Sequence, residues 1–482
     1  MKNFNKSVFK QYDIRGIVKD DFSQEFITSL GRAYATFVSR SVASKKQLSM
    51  AIGRDARLSG PDLQKWFSDG LRQSGVNVID LGMCATPLVY FSMFHLPVDG
   101  AIMITGSHNP PEYNGFKLGF KKTTIHGEEI QQVREILEAG DFISGNGNEE
   151  KYDIISSYIE YQKKRHHKIA ECKIKPRVII DAGNGTAGLV APAIFKALGC
   201  EVIEMFCEPD GKFPNHHPDP TIEKNLQHLI AEMKKTGADV GFSYDGDSDR
   251  LGVVDNMGNV LWGDEIMIVL ARDLLSRNPH ATIIGEVKCS TRMYREIERS
   301  GGNPVMWKTG HSLIKNKMKE SGALLAGEMS GHIFFAEDYF GFDDAIHASL
   351  EVARILAQTM PDKKMSDFLK DLPPVLVTPE IRIDCKEEMK FELVNRVIEL
   401  VQVHNKSLST PIIRNINLTD GIRVEFDKGW GLVRASNTQP ILVSRFEAED
   451  PASLQEYRLF VEERIKEAEA SLQTVKTSEI SK

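Results

Sequence analysis

Short apolar runs alternate with amphipathic stretches along most of the chain. Residues 48–53 predict a strand, a helix follows from about Pro61 to Gly75, and residues 76–81 predict the next strand. The same order recurs further on, as a strand, a helix and a strand at residues 178–181, 189–198 and 201–206. Strands that alternate with helices in this way are typical of α/β layers. The pattern therefore predicts an α/β protein.

A weak internal repeat accompanies this alternation. Three times a Gly-Ala pair opens a short apolar strand, and a polar loop follows the strand directly, at residues 105–110, 245–250 and 327–332. Because the three loops are unequally spaced, the repeat does not indicate a solenoid. Loops at strand ends are where α/β sheets usually bind ligands. We therefore expect three related α/β units, each with one polar loop that could carry chemistry.

The pattern changes after Pro373-Pro374, which interrupts the chain behind a helix. The remaining sequence predicts a strand near residues 379–384 and a helix near 389–404, then three strands, of which the last covers residues 441–446. A charged helix at about residues 451–470 follows. Strands grouped together rather than alternating with helices predict an α+β module at the C-terminal end.

Composition and charge narrow the class of protein. The chain has 482 residues, which at about 150 residues per domain suggests three or more domains. Its 60 Lys and Arg residues against 67 Asp and Glu residues give a net charge of -7. Without a basic excess, nucleic acid and anionic membranes are unfavourable partners. An anionic substrate would have to be bound by cations clustered locally, against the net field.

The expected location follows from what the sequence lacks. No apolar run approaches the ~18 residues that a membrane span needs, and the N-terminal sequence has no apolar segment of the kind found in signal peptides. The six cysteines are scattered and form no Cys-x-x-Cys pair. This spacing fits reduced thiols better than disulfides or a zinc site. We therefore expect a cytoplasmic protein.

Three carboxylates alternate in the second polar loop, at Asp245, Asp247 and Asp249. In an extended loop alternate side chains point the same way, so all three can converge on one hard cation such as Mg²⁺. An EF-hand is excluded, because its sixth and twelfth positions would be Arg250 and Asn256 instead of Gly and Glu. A solvated acidic turn is the other interpretation.

The first polar loop, residues 105–111, contains a candidate nucleophile. Glycine and two prolines predict a tight exposed loop, and Ser107 stands beside His108. The commoner role of such a serine is a hydrogen bond within its own turn, and this alternative stays open. No Gly-x-Ser-x-Gly elbow is present, so a hydrolase triad has no support. Lys117, ten residues further on, could bring a positive charge to the same place.

The third polar loop offers groups that suit a ligand with several hydroxyls. Glu328, Ser330 and His332 occupy alternate positions, so an acceptor, a hydroxyl and an imidazole can share one side of an extended segment. The alternative is that they serve a helix cap or an ordinary buried histidine. By itself this loop is a weak indication of function.

A fourth loop, in the C-terminal module, could bind a phosphate group. An arginine at a strand end precedes three small polar residues: Arg434, Ser436, Asn437 and Thr438. A guanidinium, side-chain hydroxyls and loop amides together match a phosphate. An ordinary turn is the competing interpretation, and the loop alone does not decide between them.

One motif favours a different class of enzyme. Residues 183–188 match Gly-x-Gly-x-x-Gly between a predicted strand and a helix, which is the context of a dinucleotide site. A nicotinamide-dependent dehydrogenase is therefore a second hypothesis. Against it, Asp181 would place a negative charge near the pyrophosphate, and the three-aspartate loop would have no role. A tight strand-to-helix turn is the simpler interpretation.

Taken together and in this order, the four loops resemble the α-D-phosphohexomutase family. The resemblance extends from Tyr12-Asp13-Ile14-Arg15-Gly16 to residues 434–440 and so covers nearly the whole chain. Met329 in the third loop resembles the bacterial phosphomannomutase/phosphoglucomutase branch, whereas phosphoglucosamine mutases typically have Gln there. Residues 307–312 (Trp-Lys-Thr-Gly-His-Ser) also resemble that branch.

The resemblance implies four domains around a central cleft. Three related α/β domains would cover residues 1–153, 154–258 and 259–371. A C-terminal α+β domain, of TATA-box-binding-protein-like plan, would cover residues 372–482. Each of the four loops would then belong to a different domain.

The resemblance also assigns roles to residues. Ser107 would be carried as phosphoserine and would hold Mg²⁺ together with Asp245, Asp247 and Asp249. Glu328 and Ser330 would bind sugar hydroxyls with His332 beside them, and Arg434, Ser436, Asn437 and Thr438 would bind the phosphate that is not transferred. Basic positions near the transfer site would be Arg15, Lys117, Arg250, Lys288 and His311, with His108 beside the nucleophile and Tyr12 in the cleft.

The implied reaction interconverts hexose 6-phosphate and hexose 1-phosphate, of mannose, glucose or both. It runs through a hexose 1,6-bisphosphate that is both intermediate and activator, with Lys117 or His311 as acid/base. A phosphoglucosamine mutase, a Mg²⁺-dependent sugar phosphatase and the dehydrogenase are the alternatives. The expected partner is a phosphosugar, not nucleic acid or a membrane, and the expected assembly is a monomer or weak oligomer.

Overall fold

The structure is a computed structural model that describes residues 4–42, 47–407, 410–437 and 439–480, with the backbone alone for residues 473–480. The chain divides into two compact units. Unit 1 comprises residues 1–283, 300–303 and 310–370, and unit 2 comprises residues 284–299, 304–309 and 371–482. Among the described residues, no helix has the length and apolar character needed to span a membrane.

The first α/β segment lies in unit 1. Its strands are β1 (Ile14–Ile17), β2 (Ser49–Arg54), β3 (Asn77–Met83), β4 (Gly100–Ile104), β5 (Tyr113–Phe120), β6 (Thr123–Thr124) and β7 (Glu149–Lys151). Their order is β1-β5-β4-β2-β3-β7, with β6 paired to β5. Its helices are α1 (Val18–Asp21), α2 (Gln24–Ser41), α3 (Gly60–Gln73), α4 (Thr86–His95) and α5 (Glu128–Ala139). The strands predicted at residues 48–53 and 76–81 are confirmed, each shifted by one residue at its start.

The second α/β segment also lies in unit 1. Its strands are β8 (Arg177–Asp181), β9 (Glu201–Met205), β10 (Val240–Tyr244), β11 (Leu251–Asp255) and β12 (Val260–Leu261), in the order β12-β11-β10-β8-β9. Its helices are α6 (Ile154–Arg165), α7 (His167–Glu171), α8 (Ala191–Ala197) and α9 (Gln227–Thr236). The helix predicted at residues 189–198 is shorter, because Pro192 has no N–H and fits only the first turn of α8.

The boundary between the two units runs through the third α/β segment. Its helices are α10 (Gly263–Arg277), α11 (Thr291–Arg299), α12 (His311–Ser321) and α13 (Ala345–Thr359). Its strands are β13 (Thr282–Glu286), β14 (Asn303–Trp307), β15 (Leu325–Gly327) and β16 (Ile333–Phe335). Within unit 1, β15 and β16 pair in antiparallel fashion, and the third polar loop connects them.

The C-terminal module of unit 2 is an α+β fold. Its strands are β17 (Leu376–Val377), β18 (Ile381–Asp384), β19 (Asn415–Asn417), β20 (Ile422–Phe426), β21 (Gly429–Ala435) and β22 (Ile441–Ala448). They form one sheet in the order β17-β22-β21-β20-β19, with β18 paired to β22. Helices α14 (Lys390–Ser407) and α15 (Pro451–Ile480) cover its apolar face. The last helix is longer than predicted and continues to Ile480.

The predicted fold class of three α/β segments and a C-terminal α+β module is confirmed. The three strands predicted ahead of the polar loops are β4, β10 and β15. The first two end directly before their loops, and β15 ends on Gly327, the first residue of its loop. All residues of these strands are buried. The hydrophobic strands therefore fix the loops, whose polar side chains become the candidate site.

Candidate active site

The first and second polar loops, residues 105–111 and 245–250, meet in unit 1. They are called the nucleophile loop and the aspartate loop from here on. Ser107 Oγ donates a hydrogen bond to Asp245 Oδ2 at 2.8 Å and lies 3.2 Å from His108 Nδ1. Ser107 is 3% exposed and adopts a φ of 50°, in the left-handed region that a serine rarely occupies. Strain of this kind is maintained only where the surrounding structure enforces it. The predicted nucleophile is thus held in one position against the predicted metal ligand.

The three aspartates converge as the alternation predicted. One carboxylate oxygen from each of Asp245, Asp247 and Asp249 lies within 4.8 Å of the others, and all three residues are fully buried. Asp247 Oδ1 and Asp249 Oδ1 are buried without a hydrogen-bond donor. Burial and the charges of the two neighbouring carboxylates raise the pKa of Asp245 well above its usual range. Crowded oxygens without donors fit a hard cation such as Mg²⁺.

Lys117 on β5 is the cation beside this cluster. Its Nζ lies 2.7 Å from Asp247 Oδ2 and also pairs with Asp249 Oδ2. Burial opposes the charged ammonium, but the charges of Asp247 and Asp249 dominate and raise the pKa of Lys117 well above its usual range. Lys117 is therefore held as a cation next to the aspartate loop, where it could neutralise charge on a phosphoryl group.

Arg57 shapes the nucleophile loop and was not predicted from the sequence. Its guanidinium, fully buried, donates to the main-chain oxygens of Ser107 (2.8 Å), Asn109 (2.5 Å), Pro110 (2.6 Å) and Tyr113 (2.8 Å). Asp55 accepts from Arg57 Nε at 3.1 Å and from Thr105 at 2.7 Å. The planar guanidinium thus donates to four main-chain oxygens between residues 107 and 113. This is possible because Arg57 belongs to the β2–α3 connection, which lies next to that loop.

A second set of charged side chains begins at Arg250, directly after Asp249. Arg250 Nε donates to His332 Nε2 at 3.0 Å, so the proton of His332 is on Nδ1, which lies 3.1 Å from Asp343 Oδ2. Lys315 pairs with the other oxygen of Asp343 at 3.1 Å. Although burial opposes it, the charge of Lys315 holds the pKa of Asp343 well below its usual range. His332 Nε2 is therefore engaged by Arg250 in this structure. Asp343 and Lys315 were not predicted.

His311 begins α12 and faces the same region of unit 1. Its Nδ1 lies 3.8 Å from Asp343 Oδ2, and the ring of Tyr12 meets it edge-on with centroids 5.7 Å apart. Burial, and then the charge of Lys315, lower the pKa of His311 well below its usual range. His311 is therefore a neutral imidazole, able to accept a proton. Gly310, with a φ of 134°, leaves space for Tyr12, since a Cβ there would lie 2.4 Å from the ring.

The third loop and the N-terminal strand complete the part of the site in unit 1. Glu328 is 2% exposed. Its Oε1 accepts from Gly310 N at 2.6 Å, and its Oε2 accepts from Ser330 Oγ at 3.3 Å. Arg15 is held by Asp13 and by Asn109 of the nucleophile loop, each at 2.5 Å. The acidic, hydroxyl and basic groups that were expected to bind a sugar and the transferred phosphate are thus present in one unit.

Unit 2 contains Arg434, which was predicted to bind phosphate, and Lys288, which was predicted to be a basic position near the transfer site. Lys288 Nζ lies 3.0 Å from Glu380 Oε2, and Arg434 Nε donates to Asp420 Oδ2 at 2.8 Å. The charge of Lys288, with burial opposing, lowers the pKa of Glu380 to about 2, and Arg434 contributes to the same shift. Lys288 and Arg434 therefore both lie near the Glu380 carboxylate. The sequence did not predict this arrangement.

The loop after β21 contains the remaining predicted phosphate ligands. Ser436 N donates to Ile441 O at 3.0 Å, and Ser436 Oγ accepts from Gln439 N at 3.2 Å. Asn437 follows in the same loop, and Thr438 lies outside the described residues. The loop is closed by its own hydrogen bonds, beside the arginine that precedes it.

The Gly-x-Gly-x-x-Gly segment forms a tight turn. Asp181 at the end of β8 accepts from Gly183 N at 3.0 Å, and His216 Nε2 lies 3.0 Å from both oxygens of the same carboxylate. Gly185 packs against the aspartate loop, where a Cβ would lie 2.8 Å from the oxygen of Gly246. Gly185 therefore serves close packing against the aspartate loop, which favours the turn over the dinucleotide site.

With these loops placed, comparison with known proteins decides the family. Models of the three α/β/α domains of phosphoglucomutase/phosphomannomutase match residues 6–144, 156–258 and 262–376. The model of the C-terminal domain of the same proteins matches residues 380–464. The chain belongs to the phosphoglucomutase/phosphomannomutase family. The predicted resemblance is thereby confirmed.

Members of this family resemble the chain over nearly its full length. It is 45% identical over 466 residues to the phosphomannomutase/phosphoglucomutase of Pseudomonas aeruginosa, covering 97% of each chain. It is 43% identical to a phosphoglucomutase of Neisseria meningitidis, covering 94% of this chain and 96% of that one. A crystal structure of a family protein from Burkholderia thailandensis shares 39% identity with a TM-score of 0.87, over 97% of this chain and 98% of the other.

Proposed function

We propose that this chain is a phosphohexose mutase. It interconverts hexose 6-phosphate and hexose 1-phosphate, of mannose, glucose or both, through a phosphoserine at Ser107 and a hexose 1,6-bisphosphate. The observation that carries the proposal is the contact of a strained, buried serine with Asp245, one of three converging aspartates. A lysine contacts the other two. Phosphoryl transfer depends on positioning and charge neutralisation more than on covalent chemistry, and these groups supply both.

The metal ligands proposed are Asp245, Asp247, Asp249 and one oxygen of phosphorylated Ser107. Their oxygen-only donor set fits Mg²⁺. When bound, Mg²⁺ would stabilise the charge that develops on the transferring phosphoryl group. Lys117 lies against two of the three carboxylates, so its ammonium adds positive charge at the same place.

Transfer breaks the bond between Ser107 Oγ and phosphorus and forms a bond from phosphorus to the free hydroxyl oxygen of the sugar. The proton of that hydroxyl must leave, and we assign its acceptor as His311. Its imidazole is neutral, whereas Lys117 is held as a cation and His332 Nε2 is engaged by Arg250. Return of the other phosphate to Ser107 reverses the step and completes the interconversion.

Binding of the substrate involves the third and fourth loops. Glu328 and Ser330 bind sugar hydroxyls, since a buried carboxylate and a neighbouring hydroxyl offer acceptors and a donor together. Arg434, Ser436, Asn437 and Thr438 bind the phosphate that is not transferred, with Lys288 adding charge. Arg15, Arg250, His108 and Tyr12 complete the proposed transfer site.

The sugar specificity proposed is dual. The relatives compared carry the names phosphomannomutase/phosphoglucomutase and phosphoglucomutase, and no residue described above distinguishes the C2 configurations. The protein is proposed to be cytoplasmic and a monomer or weak oligomer, with hexose 1,6-bisphosphate as activator.

The experiment that tests the function measures rates on mannose, glucose and glucosamine 1-phosphates side by side, with trace bisphosphate and Mg²⁺. We expect turnover of the first two and only slow turnover of the glucosamine compound. Free phosphate is measured in the same samples. Release of phosphate without isomerisation would assign a phosphatase instead, and fast turnover of glucosamine 1-phosphate would assign the amino-sugar branch.

A further inference from the structure

Two histidines and a glutamate converge in the interior of unit 1, outside the site described above. His166 lies between α6 and α7, and His347 and Glu351 are one turn apart on α13. Glu351 Oε1 lies 3.1 Å from His166 Nε2 and 4.0 Å from His347 Nε2. Both histidines are 0% exposed and Glu351 is 8% exposed. None of the three has a role in the proposed transfer chemistry.

The hydrogen bonds around His347 fix its tautomer. Gln162 Nε2 donates to the Tyr339 hydroxyl at 3.0 Å, and that hydroxyl donates onward to Asp344 at 2.6 Å. The remaining atom of the Gln162 amide, Oε1, is therefore an acceptor, and it lies 3.2 Å from His347 Nδ1. The proton of His347 is thus on Nδ1.

The other nitrogen of His347 is left without a partner. With Nδ1 donating to Gln162, the nitrogen of the His347 ring that remains is Nε2. Its Nε2 carries a lone pair, is wholly buried and makes no hydrogen bond. An unpaired buried acceptor costs free energy unless something binds it. This nitrogen faces Glu351 Oε1, the same oxygen that faces His166.

His166 is oriented by the same glutamine. Its Nδ1 lies 3.1 Å from the main-chain oxygen of Gln162, and only a protonated nitrogen can donate to a carbonyl. Nε2 is then the atom that faces Glu351. The Nδ1–H group of each histidine therefore donates to an oxygen of Gln162. The Nε2 atom of each histidine is then directed at the same carboxylate oxygen, Glu351 Oε1. Metal-binding histidines show this arrangement, with the outer nitrogen held by an oxygen acceptor.

We propose that His166, His347 and Glu351 bind a transition-metal ion of the Zn²⁺ type, which ties the α6–α7 segment to α13. Two imidazole nitrogens and a carboxylate oxygen are a zinc donor set, whereas Mg²⁺ takes oxygen ligands. On binding, the ion replaces the proton that His166 Nε2 shares with Glu351, and this proton is released to solvent. Neighbouring ligands on a tetrahedral zinc lie about 3.3 Å apart, close to the 3.1 Å between His166 Nε2 and Glu351 Oε1.

The neighbouring charges leave this site open to a cation. Arg354 donates to the other oxygen of Glu351 at 2.8 Å, which opposes a dication. The same guanidinium also pairs with Asp273, so its field is partly neutralised. Glu351 Oε1 remains directed at the two histidines. Because all ligands are buried, the ion has a structural role, independent of the mutase reaction.

The test measures metal content and stability of the full chain. Protein is dialysed against Zn²⁺ in excess Mg²⁺, desalted, and analysed by plasma mass spectrometry. His347→Asn removes Nε2 while its amide still donates to Gln162, and Asp247→Asn disables the aspartate loop. His167→Asn is the matched control, because His167 is the adjacent, exposed histidine. We expect one zinc in wild type, in Asp247→Asn and in His167→Asn, and binding at least about tenfold weaker in His347→Asn.

Stability and spectroscopy separate the possible outcomes. Zinc should raise the melting temperature of wild type and leave that of His347→Asn unchanged. Cobalt in the same site should show visible absorption bands typical of nitrogen and oxygen ligands, absent from His347→Asn. Wild type that holds no zinc would overturn the proposal, whether or not the variants fold. So would zinc retained by His347→Asn and lost from Asp247→Asn, since the ion would then be in the aspartate loop.

Discussion

Ser107 Oγ donates a 2.8 Å hydrogen bond to Asp245 Oδ2, a residue 138 positions further along the chain. The contact joins the loop after β4 to the loop after β10. A Cβ at Gly246 would lie 2.7 Å from the main-chain oxygen of Ser107, so the loops approach as closely as a glycine permits. Thr86 adds a further link, since its hydroxyl donates to Asp247 Oδ2 at 2.6 Å. The proposed nucleophile and the proposed metal ligands are thus joined directly by hydrogen bonds and close packing.

Ser107→Ala should abolish mutase activity while the protein remains folded, because the alanine lacks the oxygen that carries the phosphoryl group. Intact mass of wild type should show a fraction heavier by one phosphoryl group, lost on addition of hexose phosphate and absent from the variant. Ser436→Ala, which alters a serine of the fourth loop, should retain the heavier species. Full activity of Ser107→Ala would falsify the phosphoserine assignment.

Arg57→Lys should impair both stability and catalysis. Lysine keeps the charge beside Asp55 but cannot donate to four carbonyls at once, and each lost bond to a buried charged group costs about 1.5–3 kcal/mol. We expect a lower melting temperature and a fall in kcat of at least tenfold, about 1.4 kcal/mol. Arg40→Lys, at an exposed pair with Asp141, is the control and should change neither. Unchanged kcat in Arg57→Lys would show that the loop keeps its shape without the guanidinium.

Lys117→Met should separate metal binding from catalysis. The ammonium contacts two of the proposed metal ligands, so its removal should strengthen Mg²⁺ binding. The same change should lower kcat by about 100-fold, the loss typical of one charge-stabilising donor. Titration of Mg²⁺ by calorimetry and steady-state rates at saturating Mg²⁺ measure the two effects. Weaker Mg²⁺ binding in the variant would contradict the competition between the two cations.

Arg434→Ala should raise KM and leave the fold intact. A charge-assisted contact to phosphate is worth about 1.5–3 kcal/mol, so a rise in KM of about 10- to 100-fold is expected. The control is Arg414→Ala, an exposed arginine in the same unit that pairs with Asp427. If both variants show wild-type KM, the fourth loop does not bind the substrate phosphate.

Glu380→Gln should change the acid stability of the protein. Because its pKa falls from 4.5 to about 2 on folding, the wild-type carboxylate contributes about 3 kcal/mol at neutral pH. This stability is present above the unfolded pKa and is lost as the pH falls from about 5 towards 2. Urea midpoints of wild type and variant should therefore differ at pH 7 and converge on acidification. A constant difference would exclude Glu380 as the titrating group.

Glu380→Gln should also lower KM for the phosphosugar, because Lys288 and Arg434 lose a competing carboxylate. Steady-state kinetics at neutral pH provide this second measurement. A rise in KM would mean that Glu380 orients the two cations instead of competing with the substrate for them.

The local pattern of apolar and polar residues was sufficient to predict the strands that precede the polar loops. Apolar runs ending in polar loops predicted β4, β10 and β15, since a buried strand must be apolar whatever it packs against. The alternation of Asp245, Asp247 and Asp249 likewise predicted their convergence, because it is a property of six consecutive residues. The end of α15 could not be predicted, because no local stop residue marks it.

The sequence by itself determined the fold class, the four polar loops and the residue types able to bind a metal and a phosphosugar. Only the tertiary structure decided that Arg57 holds the nucleophile loop, that Lys117 stays charged and that His311 is neutral. It also brought His166 to His347. These properties depend on burial and on charges from residues far apart in the chain, and neither can be obtained from neighbouring positions alone.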